Sequence, residues 1–456
     1  MYKKIFEEYF EKNMPLILDD LKEIIGIQSI AEENSDIKPF GAGSAKALAW
    51  GENFMKKLGM TTRNFDNYAV RGDFSQDKAP RLAVLAHLDT VPAGEGWTTD
   101  PFTLTLKDDV LYGRGTIDDK GPAVAALWAA KAIKDLNIPV ENFRIIFGGN
   151  EENGCEDMEY YEKCEAFPEN VFTPDGSFPV LNCEKGMVHL TFEGEYSHAG
   201  KYICELNAGT VINAVPGKAE VTFCGVTRAE VENAFADFEG IKLETEDSEK
   251  GVKCVVIGHS AHGSRPERGY NTATAILQAC VKMGFKGLEN LSRIFPHGEL
   301  DGKSAGLGFS DEISGAMTTV LTLLSTDGKK LCGGIDIRFP IDRKYNEISS
   351  IISKAIENAG YTITSCDGME SHYVDENSNF VQTLLKVYEN VKGEKGYCIA
   401  EGGITYVHNT EGAVAFGAEF PDENNNMHGA DEHITMETFK YNLNMYANAL
   451  YELLKK

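Results

Sequence analysis

RLAVLAHLD, residues 81–89, is an almost unbroken apolar run that stops on an imidazole and a carboxylate. A run this short and this apolar reads as a strand buried on both faces. Gly121 and Pro122 follow and open the apolar stretch PAVAALWAAKAIKDL. Proline near a first helical position suits helix initiation. FRIIFGG, residues 143–149, is a second buried strand. Strands alternating with helices predict an α/β layer with a mainly parallel central sheet.

The middle of the chain has a different rhythm. Ala219–Cys224 is strand-like, RAEVENAFADF is helical and Lys253–Ile257 is strand-like. The order returns in Gly334–Phe339, Ile348–Ala359 and Tyr361–Ser365. This predicts an inserted α+β domain of two similar halves. The expected organisation is a discontinuous domain, residues 1–184 and 373–456, around an insert at residues 185–372. The C-terminal element is a helix, Met436–Leu454.

Composition excludes whole classes of function. The 456 residues carry a formal net charge of −26. Binding nucleic acid or an anionic membrane surface needs clustered Lys and Arg, so neither is expected. No apolar run reaches the ~18 residues of a membrane span. The opening MYKKIFEEYFEKNMPLILDDL reads as an amphipathic helix, not a signal peptide. The ten cysteines form no Cys-x-x-Cys pair. They read as mostly reduced core thiols, which suits a cytoplasmic protein.

Chemistry gathers where elements end, and ligands of open α/β sheets sit at the carboxyl ends of strands. His87 and Asp89 lie two apart on one strand face, so Asp89 can orient a metal-binding His87. GRGTIDDKGP, residues 113–122, puts Asp118 and Asp119 in a glycine-rich loop before a helix. One Asp there could be a helix cap, but capping does not predict the pair. Glu151 and Glu152 end the second strand; beside metal ions one can bind while the other serves as a base. Asp175 sits in TPDG, which turn chemistry alone also explains. His428 lies in NMHGADE, with His433 nearby as a lesser alternative. Imidazoles and carboxylates together suit zinc, with manganese or cobalt as substitutes.

Taken in order, HLDTVPAGEGW, LYGRGTIDDKGP, NEENG, TPDGSFPV, SAHGSRPERGYNTA and MHGADEHI resemble the carnosinase/aminoacylase-type zinc metallopeptidases, above all their PepV-like dipeptidase branch. The resemblance covers essentially the whole chain. It implies two zinc ions, one on His87 and Asp175, the other on Glu152 and His428, bridged by Asp118. Asp119 is the fallback bridge, because the doubled Asp leaves the register open. The Asp118–Asp119 peptide bond is often cis in that family. Glu151 would be the general base, and Asp89 would orient His87. The insert would be a lid that brings His262 to the oxyanion, Arg338 to the substrate's carboxylate and Asn213 to the substrate.

The implied reaction is hydrolysis of dipeptides or very short peptides. The insert of two halves suits a monomer, with a homodimer left open. An N-acyl-amino-acid deacylase on the same site is the alternative enzyme. A catalytically silent metal- or peptide-binding protein is the alternative of another class. One stretch departs from the family pattern: in Glu401-Gly402-Gly403-Ile404-Thr405 the threonine does not follow the glycines directly.

Overall fold

The computed structural model describes residues 2–456 except 33–34, 77, 197–199 and 422. The chain divides into two compact units. One comprises Met1–Asn182, Tyr373–Ile399 and Ile404–Lys456; the other comprises Cys183–His372 and Ala400–Gly403.

The first unit is built on the strand Leu82–His87, in which every residue is buried. It pairs in parallel with Arg144–Gly148 on one side and with Asn170–Thr173 on the other. Ala413–Ala415 continues the parallel block beyond Asn170–Thr173. Antiparallel strands flank the block: Ala69–Asp73 with Thr61–Phe65 at one side, and Val180–Glu184 at the other. The centre of this sheet is parallel, which explains the continuous apolar strands.

Helix Lys120–Asp135 is buried along nearly its whole length. Its six alanines are small enough to let it pack closely against the sheet, helix Met436–Leu454 and helix Lys3–Ile25. Trp128, buried on this helix, donates its indole N–H to Asp20 at 2.9 Å. No described helix is long and apolar enough to cross a membrane.

The register of the parallel block places the site. His87 stands opposite Gly148, so the segments after both strands emerge side by side. Asn170–Thr173 ends at the same edge and leads into Asp175. A small antiparallel sheet brings a distant segment to the same place: His433–Thr435 pairs with Val110–Tyr112, directly ahead of the loop that holds Asp118.

The second unit is built on an antiparallel sheet of eight strands, with two small two-stranded sheets beside it. The order of the large sheet is Lys242–Ser248, Gly251–Ile257, Lys218–Cys224, Tyr202–Ala208, Thr318–Thr326, Lys330–Phe339, Gly186–Glu195 and Thr362–Met369. The two recurring strand–helix–strand patterns fall at opposite ends of it. Helix Arg228–Phe235 follows one half and helix Tyr345–Asn358 the other. Most of the ten cysteines are free, with one exception. Cys204 and Cys224 sit on neighbouring strands and form a disulfide, with Cα atoms 6.4 Å apart. The other eight cysteines are free.

Candidate metal centre

Asp118 stands at the middle of the site. Its Oδ1 lies 2.9 Å from His87 Nε2, and its Oδ2 lies 2.8 Å from His428 Nε2. Asp175 Oδ2 is 3.8 Å from His87 Nε2, and Glu152 Oε2 is 3.1 Å from His428 Nε2. Two groups able to hold a cation result: His87, Asp118 and Asp175, and Asp118, Glu152 and His428. Asp118 belongs to both.

Each ligand is aimed by its surroundings. His87 is fully buried, and its Nδ1 faces the carbonyl oxygen of Asp89 at 3.2 Å. A carbonyl only accepts, so Nδ1 carries the proton and Nε2 presents its lone pair to Asp118 and Asp175. Glu152 Oε1 accepts the Val91 N–H at 3.3 Å, which turns Oε2 toward His428. Asp89 accepts the N–H groups of Glu151 and Glu152, each at 3.1 Å.

The electrostatics call for positive charge. A lone pair on His87 Nε2 cannot face the Asp118 carboxylate at 2.9 Å unless a proton or a cation lies between them. Burial alone would lower the His87 pKa, yet Asp118 and Asp89 push it well above the ordinary imidazole range. Asp118 and Glu152 push His428 up to about 11. Burial, then the negative charge of Asp175, drives Glu151 well above the carboxylate range. Burial, then the charge of Asp118, also raises the Glu152 pKa. Carboxylates crowded this closely around two imidazoles are a donor set suited to cations.

The remaining sequence candidates fall into place as follows. Asp119 is fully buried and accepts the backbone N–H of His87 at 3.1 Å. It belongs to neither ligand group. The Asp118–Asp119 peptide bond is cis. His433 lies outside both groups, with Nδ1 facing Asp431 O at 2.8 Å.

In the second unit, Asn213, His262 and Arg338 form a local cluster. Ala214 pairs with His262, and Asn213 O accepts the Gly263 N–H at 2.7 Å. Gly263 packs so closely on Asp336 that an added Cβ would lie 2.1 Å from Asp336 Oδ2. Arg338 donates Nε to Asp336 Oδ1 at 2.9 Å, Nη2 to Asp336 Oδ2 at 3.3 Å and Nη1 to Gly402 O at 2.8 Å. Three of its five N–H donors are thereby engaged. The Ser264 N–H points at His262 Nδ1 at 3.2 Å, so Nδ1 accepts and the proton of the neutral ring sits on Nε2. Burial, then the charge of Arg338, holds the His262 pKa below its ordinary value and keeps the ring neutral.

Two supports have no counterpart among the sequence candidates. Asp157 is fully buried; its Oδ2 accepts the N–H groups of Gly149 at 2.7 Å and Asn150 at 2.8 Å and the Tyr406 hydroxyl at 2.5 Å. It steadies the strand end that carries Glu151 and Glu152. Arg114 and Glu432 form a buried ion pair behind Asp118. Glu432 lies inside the MHGADEHI stretch, so a signal for it was present; none marks Asp157.

The sequence pattern of peptidase family M20/M25/M40 matches residues 83–452, which span the strand of His87 and the loop of His428. The chain belongs to this family. The M20 peptidase is 32% identical over 468 residues to the Beta-Ala-Xaa dipeptidase of Lactobacillus delbrueckii subsp. lactis, covering 99% of this chain and 98% of that one. Human carnosine dipeptidase 1 has a similar fold at a TM-score of 0.60, with 15% identity over 99% of each chain. The dipeptidase Dug1p of Saccharomyces cerevisiae is similar at 0.59, with 14% identity, covering 100% of this chain and 99% of that one. The peptidase is a metal-dependent hydrolase of peptide bonds.

Proposed function

We propose that this peptidase cleaves dipeptides and very short peptides with two zinc ions, and that Glu151 is its general base. The support that carries this reading is Asp118, whose two oxygens face His87 and His428 separately. A single-cation site has no use for a carboxylate turned to two imidazoles. The dipeptidase from Lactobacillus, similar end to end, supports the substrate class.

His87 and Asp175 would hold one cation, Glu152 and His428 the other, with Asp118 shared. Bound there, the cations would acidify a shared water and polarise the scissile carbonyl. Glu151, half-buried among these groups, takes the proton of the attacking water and delivers it to the leaving amine. Asp89 keeps the base and the His87 ring in register through the bonds described above. His262, with its proton on Nε2, is a neutral donor for the developing oxyanion. Arg338 and Asn213 are assigned to the substrate, Arg338 to its terminal carboxylate. In this reading the chain works as a cytoplasmic monomer.

The test is a panel of dipeptides, longer peptides and N-acyl amino acids, assayed after chelation and after return of zinc, manganese or cobalt. Metal-restored cleavage confined to the shortest peptides is expected. Preferential hydrolysis of N-acyl amino acids would replace the dipeptidase reading. Tight dipeptide binding with no turnover in any metal would remove the enzyme reading.

A further inference from the structure

Glu432 holds no ligand position, yet its carboxylate is completely buried. Its Oε1 accepts the N–H groups of Gly115 at 2.9 Å and Ile117 at 3.2 Å, and its Oε2 pairs with Arg114 Nη1. Arg114 turns Nη2 toward three carbonyls: Pro92 at 3.2 Å, Ala93 at 3.3 Å and Gly429 at 3.2 Å. Gly113 donates its N–H to the Glu432 carbonyl at 3.0 Å. One ion pair therefore ties together three segments: the one after the His87 strand, the one ahead of Asp118 and the one that carries His428.

The two sides of the metal centre are held differently. His87 ends a buried strand, and Asp175 follows another. His428 lies in a loop at φ +61°, with Asn426 and Asp431 also at positive φ. Its side chain is 53% exposed, whereas that of His87 is sealed. The His428 ring stays where its loop is tied: Arg114–Glu432 ties it at Gly429 and Glu432, beside the Thr98 N–H bond to Asp431 Oδ1 at 2.8 Å. Asp118 has an anchor of its own, because helix Lys120–Asp135 starts two residues later and Lys120 Nζ donates to Ile27 O at 2.6 Å.

We propose that Arg114 and Glu432 are positioning residues for the His428 side of the centre, setting the affinity of the second cation and leaving the His87–Asp175 side unchanged. The inference rests on the two-cation reading above. It assigns a function to a buried charge pair that touches no ligand atom itself. Guanidinium serves the carboxylate and the carbonyls from one rigid plane, a fixed geometry that the three rotatable donors of an ammonium do not reproduce.

The experiment is calorimetric titration of zinc into the chelator-treated full-length chain. Wild type should bind in two steps. In Arg114→Lys and in Glu432→Gln the weaker step should lose about 10–100-fold in affinity, as supporting partners of metal ligands typically do, while the tighter step holds. The double variant Arg114→Met, Glu432→Gln leaves no buried charge unpaired and gives the same reading if a single variant fails to fold. No change in the second step, or equal weakening of both, overturns the proposal. Wild type that takes up fewer than two cations overturns the two-cation reading as well, and needs no variant to show it.

Discussion

Asp89 Oδ1 accepts the backbone N–H of Glu151 at 3.1 Å. The same carboxylate lies 3.4 Å from His87 Nδ1, so one side chain fixes both the proposed metal ligand and the proposed base. Asp89→Asn keeps the volume but turns an amide N–H₂ toward groups that are themselves donors. It should weaken metal binding about 10–100-fold and lower kcat as well. Zinc titration beside steady-state kinetics checks this. A variant with wild-type values in both would separate Asp89 from the site.

Glu151→Gln should abolish turnover, losing at least the ~10²–10⁴-fold of a general base, with both cations still bound. Metal content by elemental analysis and single-turnover assays of the purified variant decide it. Near wild-type kcat would transfer the base role elsewhere.

His262→Ala should lower kcat about 10²–10³-fold with metal content unchanged, as expected for loss of one oxyanion donor. Because its ring is held neutral, the wild-type rate should show no acid limb from His262 at the ordinary imidazole pKa. A limb near pH 6.5 that disappears in the variant would contradict this protonation state.

Burial, then the charge of Asp89, raises the Asp157 pKa from 3.8 to about 6. Between these values the folded chain keeps a proton that the unfolded chain has released. The stabilisation is complete below pH 3.8 and is lost as pH rises through about 6. Relative to Asp157→Asn, wild type should lose on the order of 3 kcal/mol over that window. Urea unfolding of the metal-free proteins at each end of the window measures it. A difference that does not change with pH would rule it out.

The Cys204–Cys224 disulfide closes a loop with a sequence separation of 20. Under oxidising conditions Cys224→Ser should lower the stability of the second unit by up to about 3 kcal/mol. With reductant present, variant and wild type should converge. Equal stability under oxidising conditions would show that the bond contributes nothing.

The strands Leu82–His87 and Arg144–Gly148 were legible because burial on both faces leaves a continuous apolar run. The helix Met436–Leu454 was legible from its periodicity. Strand Lys242–Ser248, KLETEDS, was not: it is a charged edge strand defined only by its pairing with Gly251–Ile257. The acidic and imidazole candidates were visible as residue types at strand ends. What supports them was hidden, since Tyr406 meets Asp157 across 249 residues and Arg114 meets Glu432 across 318. Pattern reading works over a dozen residues, and such bonds leave no local trace.

The unbroken sheet of the second unit has a mechanical consequence. Its two halves share one hydrogen-bonded ladder, so they cannot flex independently. Arg338 rides on that ladder, and Asn213 and His262 are coupled to it through Gly263, which bonds Asn213 O and packs against Asp336. Substrate length would then be measured against a ruler cut in advance, and variants that alter it should be sought along the Ala214–His262 pairing and the Asp336–Arg338 contact.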